Sequence, residues 1–122
     1  MPKLHLLFVC GRNQWRSPTA EAIYRRDPRL LIRSAGVSSK SARQLSADDL
    51  EWADLVLVME QKYKSRILET YRDHPHLPKI VSLDIPDEYN RMDQELIALI
   101  EEGTEFHLKH HFGLEPKDST ND

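Results

Sequence analysis

The chain has 122 residues, of which 30% are charged and 39% are hydrophobic, and its formal net charge is -3 at pH 7. This length suits one domain with a substantial core and is too short for two. The negative charge, with no stripe of basic residues interleaved with aromatic ones, disfavours nucleic acid as a partner. The apolar segment from Leu4 to Cys10 is too short to span a membrane and lacks a signal-peptide cleavage site, so we expect a cytoplasmic protein with no membrane partner.

Strand and helix signals alternate along the chain. The strand signals cover residues 3–9, 30–33, 54–59 and 80–83, and the helix signals cover residues 18–26, 60–73 and a last segment from about Met92. A further short helix is predicted after Ser46, whose side chain can cap it. The run Leu55–Val58 is continuously apolar, which is typical of a strand covered on both faces. This alternation predicts a single-domain α/β fold, with a parallel sheet of about four strands and helices on both faces.

The C-terminal end of the sequence differs in composition from the rest. Residues 115–122 are polar and include no large apolar side chain. We therefore expect a folded domain over residues 1–112 and a polar, disordered tail over residues 113–122.

The most informative feature of the sequence is the segment around its single cysteine. Cys10 ends the first strand signal, and Arg16 and Ser17 follow after a five-residue spacer, just before Pro18 and a helix signal. Backbone N–H groups in such a loop can turn inward around an anion, and an arginine side chain can close the ring. A position near a helix N-terminus and beside an arginine favours the thiolate form of cysteine, which is the nucleophile. The pattern therefore predicts a phosphate-binding loop with Cys10 as nucleophile.

The residues of this loop suit individual roles. Seven consecutive residues are predicted to bind phosphate: Gly11, Arg12, Asn13, Gln14, Trp15, Arg16 and Ser17. We expect Gly11 and Asn13 to supply left-handed backbone conformations, and Arg16 to bind two phosphoryl oxygens at once. Ser17 is expected to cap the helix and to donate its hydroxyl to the sulfur. Trp15 is expected to pack behind the loop, with lining of the pocket as the alternative.

The sequence resembles the low-molecular-weight protein tyrosine phosphatase family. The matching pieces stand in family order and span nearly the whole chain: Val9-Cys10, residues 13–21, Ser34-Ala35-Gly36, residues 42–45, Val58-Met59-Glu60 and Asp87-Glu88-Tyr89. The resemblance implies Cys10 as nucleophile and Arg16 as the clamp of the transition state. It also implies that Asn13 and Ser34 form a hydrogen-bond network that shapes the loop. The implied substrates are phosphotyrosine proteins or small aryl phosphates, and the implied chemistry uses no metal or other cofactor.

A cysteine phosphatase also needs an acid that protonates the leaving oxygen. In the resemblance this acid is an aspartate before a Pro-Tyr pair near the start of the last helix. Asp87 with Tyr89 is the best match, although Glu88 stands in place of the proline. Asp84 and Glu88 stay open as alternatives for the acid. The resemblance further implies that Tyr89 stacks against an aromatic substrate ring.

The sequence departs from the family pattern in four further places. Only residues 37–41 separate two of the matching pieces, where the family has a longer segment that forms one wall of the cleft. We therefore expect a shallower and more open pocket. Lys40 lies near the place of a network histidine, and Arg12 replaces a glycine. Trp15 replaces a second loop cysteine, so no disulfide within this chain can protect an oxidised Cys10.

Two other functions stay open on the sequence alone. An arsenate reductase on the same scaffold would need an external thiol, because the chain has one cysteine. A phosphate-binding regulatory module with little turnover would keep the loop but would have no use for Asp87. A metal site is not expected, because His107, His110 and His111 have helical spacing without a cysteine or carboxylate partner.

Overall fold

The computed structural model describes residues 3–116, and within this range strands and helices alternate strictly. The strands are β1 (Leu4–Cys10), β2 (Leu30–Gly36), β3 (Leu55–Val58) and β4 (Lys79–Ser82). The helices are α1 (Arg16–Tyr24), α2 (Ala47–Trp52), α3 (Gln61–Thr70) and α4 (Gln94–Phe112). No helix in this range is long and apolar enough to cross a membrane. The prediction of a single-domain α/β fold with about four strands is confirmed.

The sheet is parallel throughout, with the strand order β2-β1-β3-β4. The two central strands form the core, since residues 6–10 of β1 and all of β3 are buried. The chain runs one way along the sheet from β1 to β2 and the other way from β2 to β3 and β4. Right-handed crossovers therefore place α1 on one face and α2 and α3 on the other. The last helix, α4, packs against α1 and so lies on the same face of the sheet as α1. The expectation of helices on both faces is confirmed.

Local sequence explains where two of the helices begin. Ser46 and Asp49 form a reciprocal capping box at the start of α2, with Ser46 Oγ accepting from the Asp49 N–H at 3.4 Å and Asp49 Oδ2 accepting from the Ser46 N–H at 3.1 Å. Asp93 caps α4 by accepting from the Glu95 N–H at 2.8 Å. The helix α4 ends at Gly113, which has the left-handed conformation with φ at 65°. The predicted cap at Ser46 is confirmed.

The carboxyl ends of three strands meet at one edge of the sheet. β2 runs three residues beyond its predicted end because it pairs with β1 along its whole length, from Leu4 opposite Leu30 to Cys10 opposite Gly36. On the other side of β1, Val9 lies opposite Val58 of β3. Parallel sheets bind ligands at this edge, and the loop after Cys10 lies there.

The structure describes only the first residues of the predicted tail. The Leu114 N–H donates to Leu108 O at 3.3 Å, and the Leu114 side chain packs against the core. Arg29 donates to the carbonyl oxygen of Glu115 at 2.6 Å. Residues 117–122 lie outside the described residues, so disorder of the tail stays a prediction.

Candidate active site

The loop after β1 is held by hydrogen bonds on its outer side. A short segment, residues 37–42, which we call the strap, runs along this side. Three consecutive loop carbonyls accept from strap N–H groups: Cys10 O from Val37 at 3.0 Å, Gly11 O from Ser38 at 2.9 Å and Arg12 O from Ala42 at 3.2 Å. The hydroxyl of Ser41 also lies 3.1 Å from Gly11 O. The strap therefore fixes the directions of three successive peptide groups.

Those directions determine where the loop N–H groups point. All peptide bonds in the described range are trans, so each N–H points opposite to the carbonyl of the preceding residue. The N–H groups of Gly11, Arg12 and Asn13 consequently face away from the strap, toward the inside of the loop. The Asn13 N–H donates to Cys10 Sγ at 3.2 Å. N–H groups that share the inner side of a loop in this way form a binding site for an anion, and that of Asn13 contacts the sulfur.

Asn13 has the strained backbone that the loop needs. Its φ is 55°, a left-handed conformation that asparagine tolerates better than most residues. Its side-chain Nδ2 donates to Ser34 Oγ at 3.1 Å, and Ser34 Oγ donates to Glu21 Oε1 at 2.6 Å. The expected network between Asn13 and Ser34 thus continues to Glu21. Lys40, which was matched to a network histidine, is exposed and lies in the strap.

Three expectations about Gly11 and Ser17 were wrong. Gly11 does not have a positive φ; its small size matters because an added Cβ would lie 2.9 Å from the Tyr63 hydroxyl. Ser17 is not the cap of α1, since the helix begins at Arg16 with Trp15 at the N-cap position. The Ser17 hydroxyl is fully buried and has no hydrogen-bond partner among residues 3–116, so it does not donate to the sulfur of Cys10 in this structure.

Arg16 is buried and is held from one side. Its Nη1 donates to Glu60 Oε2 and, at 2.7 Å, to the carbonyl of Ile85, while its Nη2 donates to the Tyr63 hydroxyl at 2.9 Å. Burial opposes the charge on the guanidinium, but the hydrogen bond with Glu60 and the nearby Tyr63 and Asp87 raise its pKa above the ordinary value for arginine. Arg16 is therefore always cationic.

The opposite edge of the Arg16 guanidinium faces the site. The bonds to Glu60, Ile85 and Tyr63 use both Nη1 hydrogens and one Nη2 hydrogen. Among the described residues, Arg16 Nε forms an ion pair with the Asp87 carboxylate, whose Oδ1 lies 3.8 Å away. This distance is too long for a hydrogen bond from the Nε–H. The Nε–H and one Nη2–H thus form a fork that fits two oxygens of a phosphate.

A cavity of about 170 Å³ opens over the sulfur. It is lined by eight residues, most of them from the loop: Cys10, Gly11, Arg12, Gln14, Trp15, Arg16, Tyr63 and Asp87. Of the predicted phosphate-binding residues, Asn13 and Ser17 do not line the cavity. Trp15 is 46% exposed and lines it, so the expectation that this side chain packs behind the loop was wrong. The strap contributes no residue to the lining, as expected for a pocket without the longer cleft segment.

The structure separates the three candidate acids. Asp87 lines the cavity, and its carboxylate is 63% exposed beside Arg16. Asp84 lies in a different depression with Glu60, and its carboxylate accepts from the Ser82 hydroxyl at 2.7 Å. Glu88 is exposed and does not line the cavity. Of the three, Asp87 alone lines the cavity that contains Cys10.

Tyr89 is not part of this cavity. Its hydroxyl donates to Glu95 Oε2 at 2.9 Å, and this hydrogen bond raises the pKa of the phenol. The side chain packs against the edge of the core. The aromatic side chains that line the cavity are Trp15 and Tyr63 instead.

The histidines of α4 do not form a metal site. His107 Nδ1 and His111 Nε2 lie 3.3 Å apart, and burial together with the neighbouring histidines lowers the pKa of His107. Within residues 3–116 no group of three or more His, Cys, Asp or Glu side chains is arranged to hold a metal ion.

Comparisons with known proteins identify solved structures that share this fold. No protein-family model matches the sequence, and no characterised protein matches it at a significant level by sequence. Solved structures do match. The YwlE arginine phosphatase from Geobacillus stearothermophilus superposes with a TM-score of 0.63 and 23% identity, covering 92% of this chain and 99% of that one. The chain has the fold of the low-molecular-weight protein tyrosine phosphatases.

Two further structures support this assignment of the fold. The low-molecular-weight protein tyrosine phosphatase SP-PTP from Streptococcus pyogenes has a TM-score of 0.69 and 20% identity, over 89% of this chain and 93% of that one. The tyrosine phosphatase Wzb from Escherichia coli K30, solved in complex with phosphate, has a TM-score of 0.68 and 22% identity, over 90% of this chain and 99% of that one. The low-molecular-weight phosphatase fold therefore spans nearly the whole chain.

Three residues of the site were missed by sequence reasoning. Glu60 and Tyr63 hold Arg16, and Glu21 holds Ser34. Glu60 directly follows the buried segment that forms β3, so its position at the carboxyl edge of the sheet was a usable signal. Tyr63 lies within the helix predicted over residues 60–73, and nothing in the local sequence pointed to a role for its hydroxyl or for Glu21.

Proposed function

We propose that this protein is a cysteine-dependent phosphate monoester hydrolase of the cytoplasm, acting on phosphotyrosine in proteins or on small aryl phosphates. One observation carries the proposal. The loop carbonyls of residues 10–12 are bound to the strap, so the N–H groups of residues 11–13 face the inside of the loop, where that of Asn13 donates to Cys10 Sγ. The free edge of Arg16 faces the same space, and together these donors fit the oxygens of a phosphoryl group.

The first chemical step transfers the phosphoryl group to the sulfur. The Cys10 thiolate attacks phosphorus, the S–P bond forms, and the bond from phosphorus to the leaving oxygen breaks. The loop N–H groups and the Arg16 fork bind the equatorial oxygens, where negative charge accumulates in the transition state. The hydrogen bond from the Asn13 N–H, at 3.2 Å, stabilises the anionic sulfur before attack.

Asp87 moves the protons in both steps. In its protonated form it donates a proton to the leaving oxygen, which departs as an alcohol or phenol. The resulting carboxylate then takes a proton from a water molecule, whose oxygen attacks the phosphocysteine. The S–P bond breaks, inorganic phosphate is released and the Cys10 thiolate is restored. The exposed position of Asp87 at the mouth of the cavity suits exchange of both leaving group and water.

The substrate assignment favours an aromatic phosphate. The solved structures of similar fold include an arginine phosphatase and tyrosine phosphatases. In this chain two aromatic side chains, Trp15 and Tyr63, line the cavity over the sulfur. Aromatic walls favour an aryl group over an alkyl chain.

Turnover of two aryl phosphates tests the proposal. We expect wild type to hydrolyse p-nitrophenyl phosphate and phenyl phosphate in the presence of EDTA, and Cys10→Ser to abolish both activities. Asp87→Asn should reduce kcat for phenyl phosphate by about 10²–10³-fold and for p-nitrophenyl phosphate much less, because p-nitrophenolate leaves without protonation. Asp84→Asn is the matched control and should retain activity, since that carboxylate lies outside the cavity.

Three results would contradict parts of the proposal. Activity that survives Cys10→Ser would show that Cys10 is not the nucleophile. Equal losses in Asp87→Asn for the two substrates would show that Asp87 is not the acid. Binding of vanadate or phosphate without turnover by wild type would favour a phosphate-binding module.

A further inference from the structure

We propose that Trp15 supplies the aromatic wall of the substrate pocket, so that the indole contacts the organic group of the bound phosphate ester and selects aryl over alkyl phosphates. This inference rests on the proposed function and assigns its specificity to one residue. Trp15 lies immediately before Arg16 and lines the cavity that also contains Cys10 and Asp87.

Hydrogen bonds fix the backbone of Trp15, while its side chain is exposed to solvent. Its carbonyl accepts from the Thr19 N–H at 3.0 Å and from Thr19 Oγ1 at 2.6 Å. Thr19 Oγ1 in turn accepts from the Met92 N–H at 3.0 Å, which ties the start of α1 to the segment before α4. The indole is nevertheless 46% exposed, at the mouth of a cavity. A large apolar side chain held this way is positioned to bury its surface against a ligand.

The other aromatic side chains near the site are engaged in contacts within the protein. Tyr63 is 8% exposed, and its hydroxyl bonds to Arg16 and Glu60, so it forms the floor beside the loop. Tyr89 lies outside the cavity with its hydroxyl on Glu95. The strap is bonded to the outer side of the loop and contributes no wall. Among the described residues that line the cavity, Trp15 therefore offers the exposed aromatic surface.

The position of the indole matches the path of a leaving group. A phosphoryl group above Cys10 projects its ester oxygen away from the sulfur, toward the mouth of the cavity. Asp87 and Trp15 both line the cavity and are open to solvent, at 63% and 46% exposure. An aryl ring bonded to that oxygen can stack against the indole, whereas a short alkyl group leaves the indole exposed.

Phosphonate binding tests this contact without requiring turnover. Isothermal calorimetry on the full chain would compare inorganic phosphate, methylphosphonate and phenylphosphonate. We expect wild type to bind phenylphosphonate about tenfold more tightly than methylphosphonate. Trp15→Ala should reduce this ratio to near one and leave the affinity for inorganic phosphate within about twofold. Trp15→Phe should retain most of the ratio, and Phe106→Ala, which removes an exposed aromatic side chain far along α4, should leave it unchanged.

Intrinsic fluorescence gives a second, independent readout. The chain has two tryptophans, and Trp52 stacks on His5 and lies under the Arg33 guanidinium, away from the cavity. In a Trp52→Phe background the tryptophan emission comes from Trp15 alone. We expect phenylphosphonate to change this emission and methylphosphonate to leave it nearly constant.

The outcomes separate this inference from the proposed function. If Trp15→Ala leaves the ratio of phenylphosphonate to methylphosphonate affinity unchanged, Trp15 does not contact the ring and the inference is wrong. If Trp15→Ala weakens the binding of all three ligands equally, Trp15 only shapes the loop and the inference is also wrong. A ratio that depends on Trp15 in a protein without aryl phosphatase activity supports the contact and refutes the proposed turnover. Failure of wild type to bind any of the three ligands refutes both.

Discussion

Replacement of Gly36 with alanine should distort the phosphate-binding loop through its backbone. An added Cβ would collide with Ser41 Oγ and would lie 2.8 Å from both Ser41 Cβ and the backbone nitrogen of Asn13. Rotation of the Ser41 hydroxyl relieves only the first contact, so the strap or the loop must move. Overpacking of this kind costs about 1–3 kcal/mol of the free energy of unfolding. Because the Asn13 N–H donates to Cys10 Sγ, we also expect kcat/KM to fall by roughly 10- to 100-fold.

Urea unfolding and hydrolysis of phenyl phosphate measure these two effects. Gly103→Ala is the matched control, because its added Cβ would meet only the end of the Leu83 side chain at 2.8 Å. Alanine is the better helix former by about 1 kcal/mol, which offsets the cost of moving that side chain. The control should therefore keep both stability and activity near wild type. Wild-type stability and kcat/KM in Gly36→Ala, or an equal loss of activity in Gly103→Ala, would refute the reasoning.

Two other substitutions test the groups that support the site and the fold. Tyr63→Phe removes the hydroxyl that contacts Arg16 and Glu60, so kcat/KM for phenyl phosphate should fall about tenfold. The free energy of unfolding in urea should also fall, by about 1–3 kcal/mol, because a buried donor of Arg16 loses its acceptor. Burial opposes ionisation of Asp49, but hydrogen bonds, led by that from Arg43, lower its pKa below 3.8. The unfolded state thus binds more protons, and the stabilisation is complete above about pH 4 and lost as the pH falls further. Asp49→Asn should lower stability at pH 7 and flatten its decline toward pH 3, as measured by urea unfolding.

Features that depend on neighbouring residues could be predicted from the sequence. The continuously apolar run in β3, the capping box at Ser46 and the placement of Cys10 at a strand end follow from local patterns and are present in the structure. The parallel direction of the strands follows from the alternation of strands and helices. These rules apply to any α/β chain, so one sequence was enough.

Features that depend on distant partners could not be predicted in the same way. The predicted start of α1 was two residues late because serine and proline are typical of a helix start, whereas the helix begins at Arg16. The guanidinium of that residue is fixed by groups 44, 47 and 69 positions away along the chain. No pattern in the loop itself contains this information. The same holds for Trp15, whose exposure depends on which segments cover the loop.

The buried arginine links the fold to the proposed chemistry. A guanidinium that is 3% exposed must be matched by acceptors, since an unpaired buried charge is strongly destabilising. The acceptors come from the ends of two other strands, with Glu60 after β3 and Ile85 after β4, and from Tyr63 in α3. They accept three of the five guanidinium hydrogens and leave the Nε–H and one Nη2–H for phosphate. The same contacts that make burial of Arg16 tolerable therefore also aim it at the space above Cys10, so the site depends on the whole carboxyl edge of the sheet and not on the loop alone.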